Sequence, residues 1–192
     1  MLTLEKGVKL VRLARHAIET LLYNMPLSID HYKEFDEKKG VYVTLKKNGK
    51  LRGQMGVIET KDELYQAVVK AARDAAFNDK RFEPVTKEEI HEIEIEVTII
   101  TNSNLLRVSS FQEYAKHIHI GIDGVAIVGG VYSAVLLPNA EMTYGWDTER
   151  LLRYLSNSAG MTMDAWKTLN HKIYVFQCQT FAEKNEKIIE II

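Results

Sequence analysis

Eight residues carry the polar chemistry that a binding or reactive site in this chain would use: Arg52, Gln54, Asp79, Arg81, Asn139, Glu141, Trp146 and Asp147. A planar guanidinium grips a carboxylate or phosphate through two parallel N–H bonds, so Arg52 and Arg81 suit an anionic group. The amides of Gln54 and Asn139 offer a donor and an acceptor each, enough to read an amide or a base edge, and the Trp146 indole offers a stacking surface. Together they outline a pocket with a strand floor and two polar loops as walls, fit for a small molecule or a partner. Each group also has a plainer use. Asp147 can be a helix cap, Trp146 a core anchor, and Asp79 with Arg81 a loop-fixing ion pair. The residue types name no reaction and leave open whether the chain is an enzyme.

The elements that must position these groups are legible in the pattern. Val41 to Leu45 reads as a strand, and Asn48-Gly49 is a strong two-residue hairpin signal, because a type I′ turn needs φ > 0 at both central residues. Leu51 to Ile58 is the return strand. A regular register pairs Lys47 with Lys50, Leu45 with Arg52 and Val43 with Gln54. That puts Arg52 and Gln54 on the face of Val41, Val43 and Leu45, where a charge needs an internal partner. We therefore expect an acidic or carbonyl partner for Arg52. Gly53 and Gly56 in the same strand predict a bulge or a close backbone approach.

Thr60-Lys61-Asp62-Glu63 reads as a capping box opening a helix along Leu64, Ala67, Val68, Ala71, Ala72 and Ala75, which ends at Asn78-Asp79. Thr86 to Glu89 reads as a second box. Strand Tyr132 to Leu137 ends at Pro138, and the loop through Asn139, Glu141 and Trp146 leads to a helix capped by Asp147 or Thr148. Around these lie a first amphipathic helix over 4–23, an alternating strand from Ile93 to Ile99 with an acidic outer row, and a final strand from Lys172 to Phe181. Asp123-Gly124 predicts a second hairpin after a strand at 118–122. The expected fold class is α+β: a mainly antiparallel sheet with hairpins, flanked by about three helices, with room for a smaller second lobe. Residues 1–192 read as a single domain.

Composition bounds the function. A net charge of −1 supplies no global attraction to nucleic acid or anionic membranes. The single cysteine, Cys178, excludes an intrachain disulfide or a cysteine-rich metal site and fits a reducing cytoplasm; its alternation with Tyr174 and Phe176 predicts a buried small hydrophobe. No apolar run approaches membrane-spanning length. P-loop, dinucleotide and nucleophile-elbow motifs are missing, so no cofactor is implied. His117 and His119 share a face at strand spacing but lack a third ligand, so no metal site is expected.

Leu51-Arg52-Gly53-Gln54-Met55-Gly56 resembles the Leu-Arg-Gly-Cys-Ile-Gly signature of the AMMECR family. Three further stretches match it in order: Ala75 to Thr86, then Val135 to Asn139 with Gly145-Trp146-Asp147, then Asp164-Ala165-Trp166 with Ile173 to Phe176. The resemblance implies a compact α+β domain of unestablished activity. Its relatives occur beside, or fused to, Memo-type proteins and radical-SAM enzymes, which implies an accessory part in a modification pathway. Gln54 stands where cysteine is usual, Asn139 where glutamine is usual, and Ala134 where a glycine often precedes the Leu-Leu-Pro run. A glutamine has no thiolate, so covalent cysteine catalysis at this position is excluded here. The alternative function is nucleic-acid binding by the basic hairpin 38–52, with Lys38, Lys39, Lys46, Lys47, Lys50 and Arg52 on phosphates and Tyr42 stacking. The acidic strand argues against it.

Overall fold

The computed structural model describes residues 1–138, 145–185 and 187–191. The chain packs as two compact units, one formed by Met1–Thr101 with Gln179–Ile192 and the other by Asn102–Cys178. The helices, in chain order, are α1 (Leu4–Leu22), α2 (Leu64–Phe77), the one-turn α3 (Tyr114–His117) and α4 (Thr148–Ser158). The strands are β1 (Val41–Lys47), β2 (Lys50–Val57), β3 (Ile93–Leu105), β4 (Gly124–Gly129), β5 (Tyr132–Leu136), β6 (Lys172–Lys184) and β7 (Lys187–Glu190). This is the expected α+β class. β1 runs antiparallel to both β2 and β3, β4 to both β5 and β6, and β7 to β6.

In the first unit the order is β2-β1-β3-β6, with β7 on β6. Thr3 caps α1, and the stripe Leu10, Leu13, Ala14, Ala17 and Ile18 is fully buried, as 3.6-residue periodicity requires of a helix laid on a sheet. The alanine stripe of α2 (Ala67, Ala71, Ala72, Ala75) is buried in the same core as Val41, Val43, Leu45, Ile95 and Val97. Small side chains let this helix lie close to β1 and β2. The opposite face of the sheet carries buried hydroxyls instead: Thr44, Thr98 and Thr180. Thr98 and Thr180 share a 2.9 Å hydroxyl–hydroxyl hydrogen bond. Thr98→Val is expected to cost about 1 kcal/mol in a denaturant titration, the net worth of one such bond; a neutral result would mean that the pair adds nothing.

Several sequence expectations are corrected here. The hairpin keeps Lys47 opposite Lys50 and Leu51 opposite Lys46, but Gly53 lies opposite Leu45, so Arg52 is the extra residue of a bulge. Gln54 consequently faces Thr44, not Val43. The bulge turns the amide away from the helix-covered face and presents Gly53 and Met55 to it, while Arg52 meets the same Glu89 carboxylate as Lys47. The first capping box is formed by Glu63 with Gln66, one turn later than the Thr60 box. β3 runs on to Leu105 and β6 to Lys184, each beyond its predicted end.

In the second unit β4 pairs with β5 and β6, and α4 seats Leu151, Leu152 and Leu155 in a core with Val125, Ile127, Trp166 and Ile173. Trp166 meets Phe111 edge-on at 5.6 Å between ring centres. Residues 118–122 are not a strand, and no hairpin forms at Asp123-Gly124. The Asp123 carboxylate folds back onto the His119 backbone N–H at 2.8 Å and its ring at 2.9 Å, closing a turn with Gly121 at φ 81°. His117 and His119 therefore do not share a strand face. Cys178 is half-buried and not, as alternation suggested, fully enclosed.

Candidate functional site

The signature segment of β2 is held by two side-chain systems, both in the first unit. Gly53 brings the strand so close to α2 that a Cβ there would lie 2.2 Å from the Ala75 carbonyl oxygen. At Gly56 a Cβ would lie 2.1 Å from the Val41 carbonyl oxygen. No other residue type fits either position without moving backbone, which explains both glycines physically.

The first system is a clamp on Gln54. The Asp79 carboxylate, at the C-terminal end of α2, accepts the Gln54 backbone N–H at 2.9 Å and the Arg81 backbone N–H at 3.1 Å. Arg81 donates to both Asp79 oxygens, at 2.9 and 2.7 Å, and returns a bond to the Gln54 carbonyl at 3.2 Å. Both backbone groups of Gln54 on the side away from β1 are thus satisfied. Burial alone would raise the Asp79 pKa, but the Arg81 hydrogen bond and the two backbone N–H groups outweigh it, and the carboxyl sits below its ordinary range. The Gln54 side chain takes no part in the clamp. Its Nε2 donates to Thr44 Oγ1 at 3.0 Å, and its Oε1 makes no hydrogen bond among the described residues.

The second system starts at the bulge. Arg52 donates from Nε and Nη2 to the two oxygens of Glu89, at 3.2 and 2.6 Å, with a long contact from Nη2 to the Pro84 carbonyl. The expected acidic partner exists, although the pairing register that led us to expect it does not. Lys47 extends the series, 3.3 Å from Glu89 and 3.4 Å from Glu92. Desolvation works to raise the Glu89 pKa, while Arg52, the Thr86 backbone N–H and Lys47 lower it, and the net shift is downward. Arg52 Nη1 is buried without a partner among the described residues. Sequence reasoning missed Glu89 because Thr86-x-x-Glu89 looked like a helix box. Half of that box is present, since Glu89 accepts the Thr86 N–H at 3.2 Å, but the same carboxylate serves Arg52.

The structure thus joins Gln54, Asp79 and Arg81 in one system, while the Arg52 side chain is held in the other by Glu89. Asn139 and Glu141 lie outside the described residues. Trp146 and Asp147 belong to the second unit. There Asp147 caps α4 by accepting the Arg150 backbone N–H at 2.7 Å, and Trp146 packs on Tyr154 at 5.2 Å with the Arg150 guanidinium 5.0 Å over its ring. No group of three or more histidine, cysteine, aspartate or glutamate residues among the described ones is placed to hold a metal ion. No helix among them is long and apolar enough to cross a membrane.

The architecture and its clamped Arg-Gly-Gln strand define a two-unit α+β protein with a rigid polar segment at a sheet edge. The AMMECR1 family model matches residues 11–181, and the chain belongs to that family. Protein MJ0810 of Methanocaldococcus jannaschii is 42% identical over 186 residues, spanning 95% of this chain and 92% of that protein. Protein PYRAB00100 of Pyrococcus abyssi is 37% identical over 188 residues, spanning 94% and 91%. The crystal structure of the uncharacterized protein PH0010 from Pyrococcus horikoshii superposes with a TM-score of 0.85 at 34% identity, covering 97% of each chain.

Proposed function

We propose that this chain is a binding module that uses the Arg52–Gln54 segment to recognise a small ligand or a partner without covalent chemistry, as an accessory component of a modification pathway. The observation that carries this reading is the division of labour at Gln54. Its backbone is fixed by Asp79 and Arg81, while its amide is oriented by Thr44 with one acceptor left unspent. Preorganised polar groups on a rigid strand are what a recognition site needs, since little ordering remains to be done on binding. Asn139, Glu141, Trp146 and Asp147 are further candidates on sequence grounds alone.

The basic hairpin supports this reading over nucleic-acid binding. Lys39 pairs with Glu37, Lys46 with Glu96, and Lys47 and Arg52 with Glu89. Tyr42 is only 9% exposed and has no free face to stack on a base. Charges already neutralised inside the protein release few counterions from a phosphate backbone.

The test exploits the same division. Gln54→Ala removes the amide but keeps the backbone clamp, so its unfolding free energy should fall by no more than about 1 kcal/mol. A ligand found by thermal-shift screening of the parent should bind this variant at least tenfold more weakly by calorimetry. Arg52→Lys should also bind poorly, since an ammonium does not reproduce a planar fork. Equal affinity in parent and Gln54→Ala would remove the signature from the binding site.

A further inference from the structure

We infer that Thr44 sets which half of the Gln54 amide a ligand meets, so that the signature selects a group bearing an N–H donor, a carboxamide in preference to a carboxylate. This rests on the reading of the signature as a binding site and adds the chemistry of what binds there.

Gln54, Thr44 and Glu96 stand in one row across three strands, since Thr44 lies opposite Gln54 in β2 and opposite Glu96 in β3. Directly opposite side chains share a face of the sheet, about 4.5–5.5 Å apart at Cβ. Thr44 is only 3% exposed, so its hydroxyl has little water to turn to. Glu96 is fixed by Lys46, whose Nζ holds one of its oxygens at 2.6 Å. The other oxygen takes no hydrogen bond among the described residues.

A carboxylate can only accept. Placed beside the Thr44 hydroxyl, it draws the hydroxyl hydrogen to its own side and leaves the oxygen lone pairs facing β2. Gln54 answers as a donor, giving an Nε2 hydrogen to Thr44 Oγ1 at 3.0 Å. Its Oε1 is thereby the half of the amide presented to a ligand. The clamp of Asp79 and Arg81 on the Gln54 backbone keeps the strand from shifting to undo this choice.

Whatever reaches Oε1 must therefore bring a hydrogen. A carboxamide does so with its N–H, and its own oxygen can take the second Nε2 hydrogen. A carboxylate or a phosphate sets lone pairs against lone pairs and gives up its water for nothing. Sites built to hydrogen-bond one group discriminate strongly against an analogue that lacks it.

Benzamide, N,N-dimethylbenzamide and benzoate are the probes. The second removes both N–H donors without adding charge, and the third removes them and adds one. Each is titrated into the isotope-labelled full chain, following the NMR signal of the Gln54 side-chain amide, which is assigned by its absence from Gln54→Ala. Benzamide should bind roughly tenfold or more tightly than either of the others. Thr44→Val keeps a β-branched side chain suited to a strand but lets the amide turn either way, so the preference should shrink to about threefold or less. Thr44→Ser restores the hydroxyl and should restore the preference. The inference is overturned if either donor-free probe binds as tightly as benzamide, if Thr44→Val keeps the full preference, or if no probe moves the Gln54 signal. Donor-free probes that bind the parent but not Gln54→Ala would overturn the donor rule alone and leave the signature as the binding site.

Discussion

Gly53→Ala should lower the unfolding free energy by about 3 kcal/mol, at the upper end of what overpacking a tight site costs. The added methyl would stand 2.2 Å from the Ala75 carbonyl oxygen and 3.2 Å from its carbon, and both obstacles are helix backbone. A flexible side chain swings aside at little cost, but here β2 or α2 must shift as a body. A shift there also strains the neighbouring Gln54 clamp. Gly49→Ala is the control. Gly49 sits at φ +72° with nothing within 4 Å of a Cβ, so only the left-handed backbone is penalised, by about 1 kcal/mol. Urea unfolding of the two variants and the parent measures the difference. If Gly53→Ala lies within 1 kcal/mol of Gly49→Ala, the strand and helix are not in rigid contact.

Asp79→Ala should be comparably damaging. It leaves the Gln54 and Arg81 backbone N–H groups without their acceptor and frees a guanidinium, at a cost of about 3 kcal/mol. Arg81 is half-exposed and relaxes into water, which keeps the loss below that of a fully enclosed pair. The same residue sets an acid dependence. Its folded pKa is depressed below the ordinary 3.8, so its contribution to stability is present in full above that value and is lost as the pH falls through the folded pKa. Glu89, also depressed, acts with the same sign from its ordinary 4.5. Stability of the parent should therefore fall as the pH drops below about 4.5, and Asp79→Asn should show a shallower decline. Parallel pH profiles for parent and variant would show that Asp79 is not the group being titrated.

The helices and most strands were legible because each repeats one simple pattern. α1 and α2 show their buried stripes, and β3 shows its alternation of isoleucine or valine with glutamate. The bulge was not legible in detail. Asn48-Gly49 fixes the turn, but a single inserted residue three positions later goes with a close approach to Ala75, which is remote in sequence. The partner of Arg52 was foreseeable in kind, as an acid or a carbonyl, but not in identity, because Glu89 does double duty as a local cap. The Asp123-Gly124 hairpin failed for a related reason: a side-chain bond from Asp123 to His119 competed with the expected strand. Of the candidate site, Asp79 and Arg81 were recognised as a pair, but their hold on the Gln54 backbone is a tertiary fact that no spacing announces.

The two clamps in the first unit also bear on how this protein behaves in a crowd. Asp79 with Arg81 occupies the outward N–H and carbonyl of Gln54, and Glu183 with Arg15 occupies the Ile95 N–H and the Ile93 carbonyl. A strand that exposes such groups is a template on which another molecule's strand can stack, and the usual defences are charge, proline, bulges or a covering loop. Here each is filled by an arginine–carboxylate pair acting as a substitute strand of side-chain length, and β2 carries a bulge besides. Removing a clamp would therefore unmask an adhesive edge as well as weaken the fold. Clamp variants should form intermolecular β-structure at protein concentrations where equally destabilised core variants stay monodisperse.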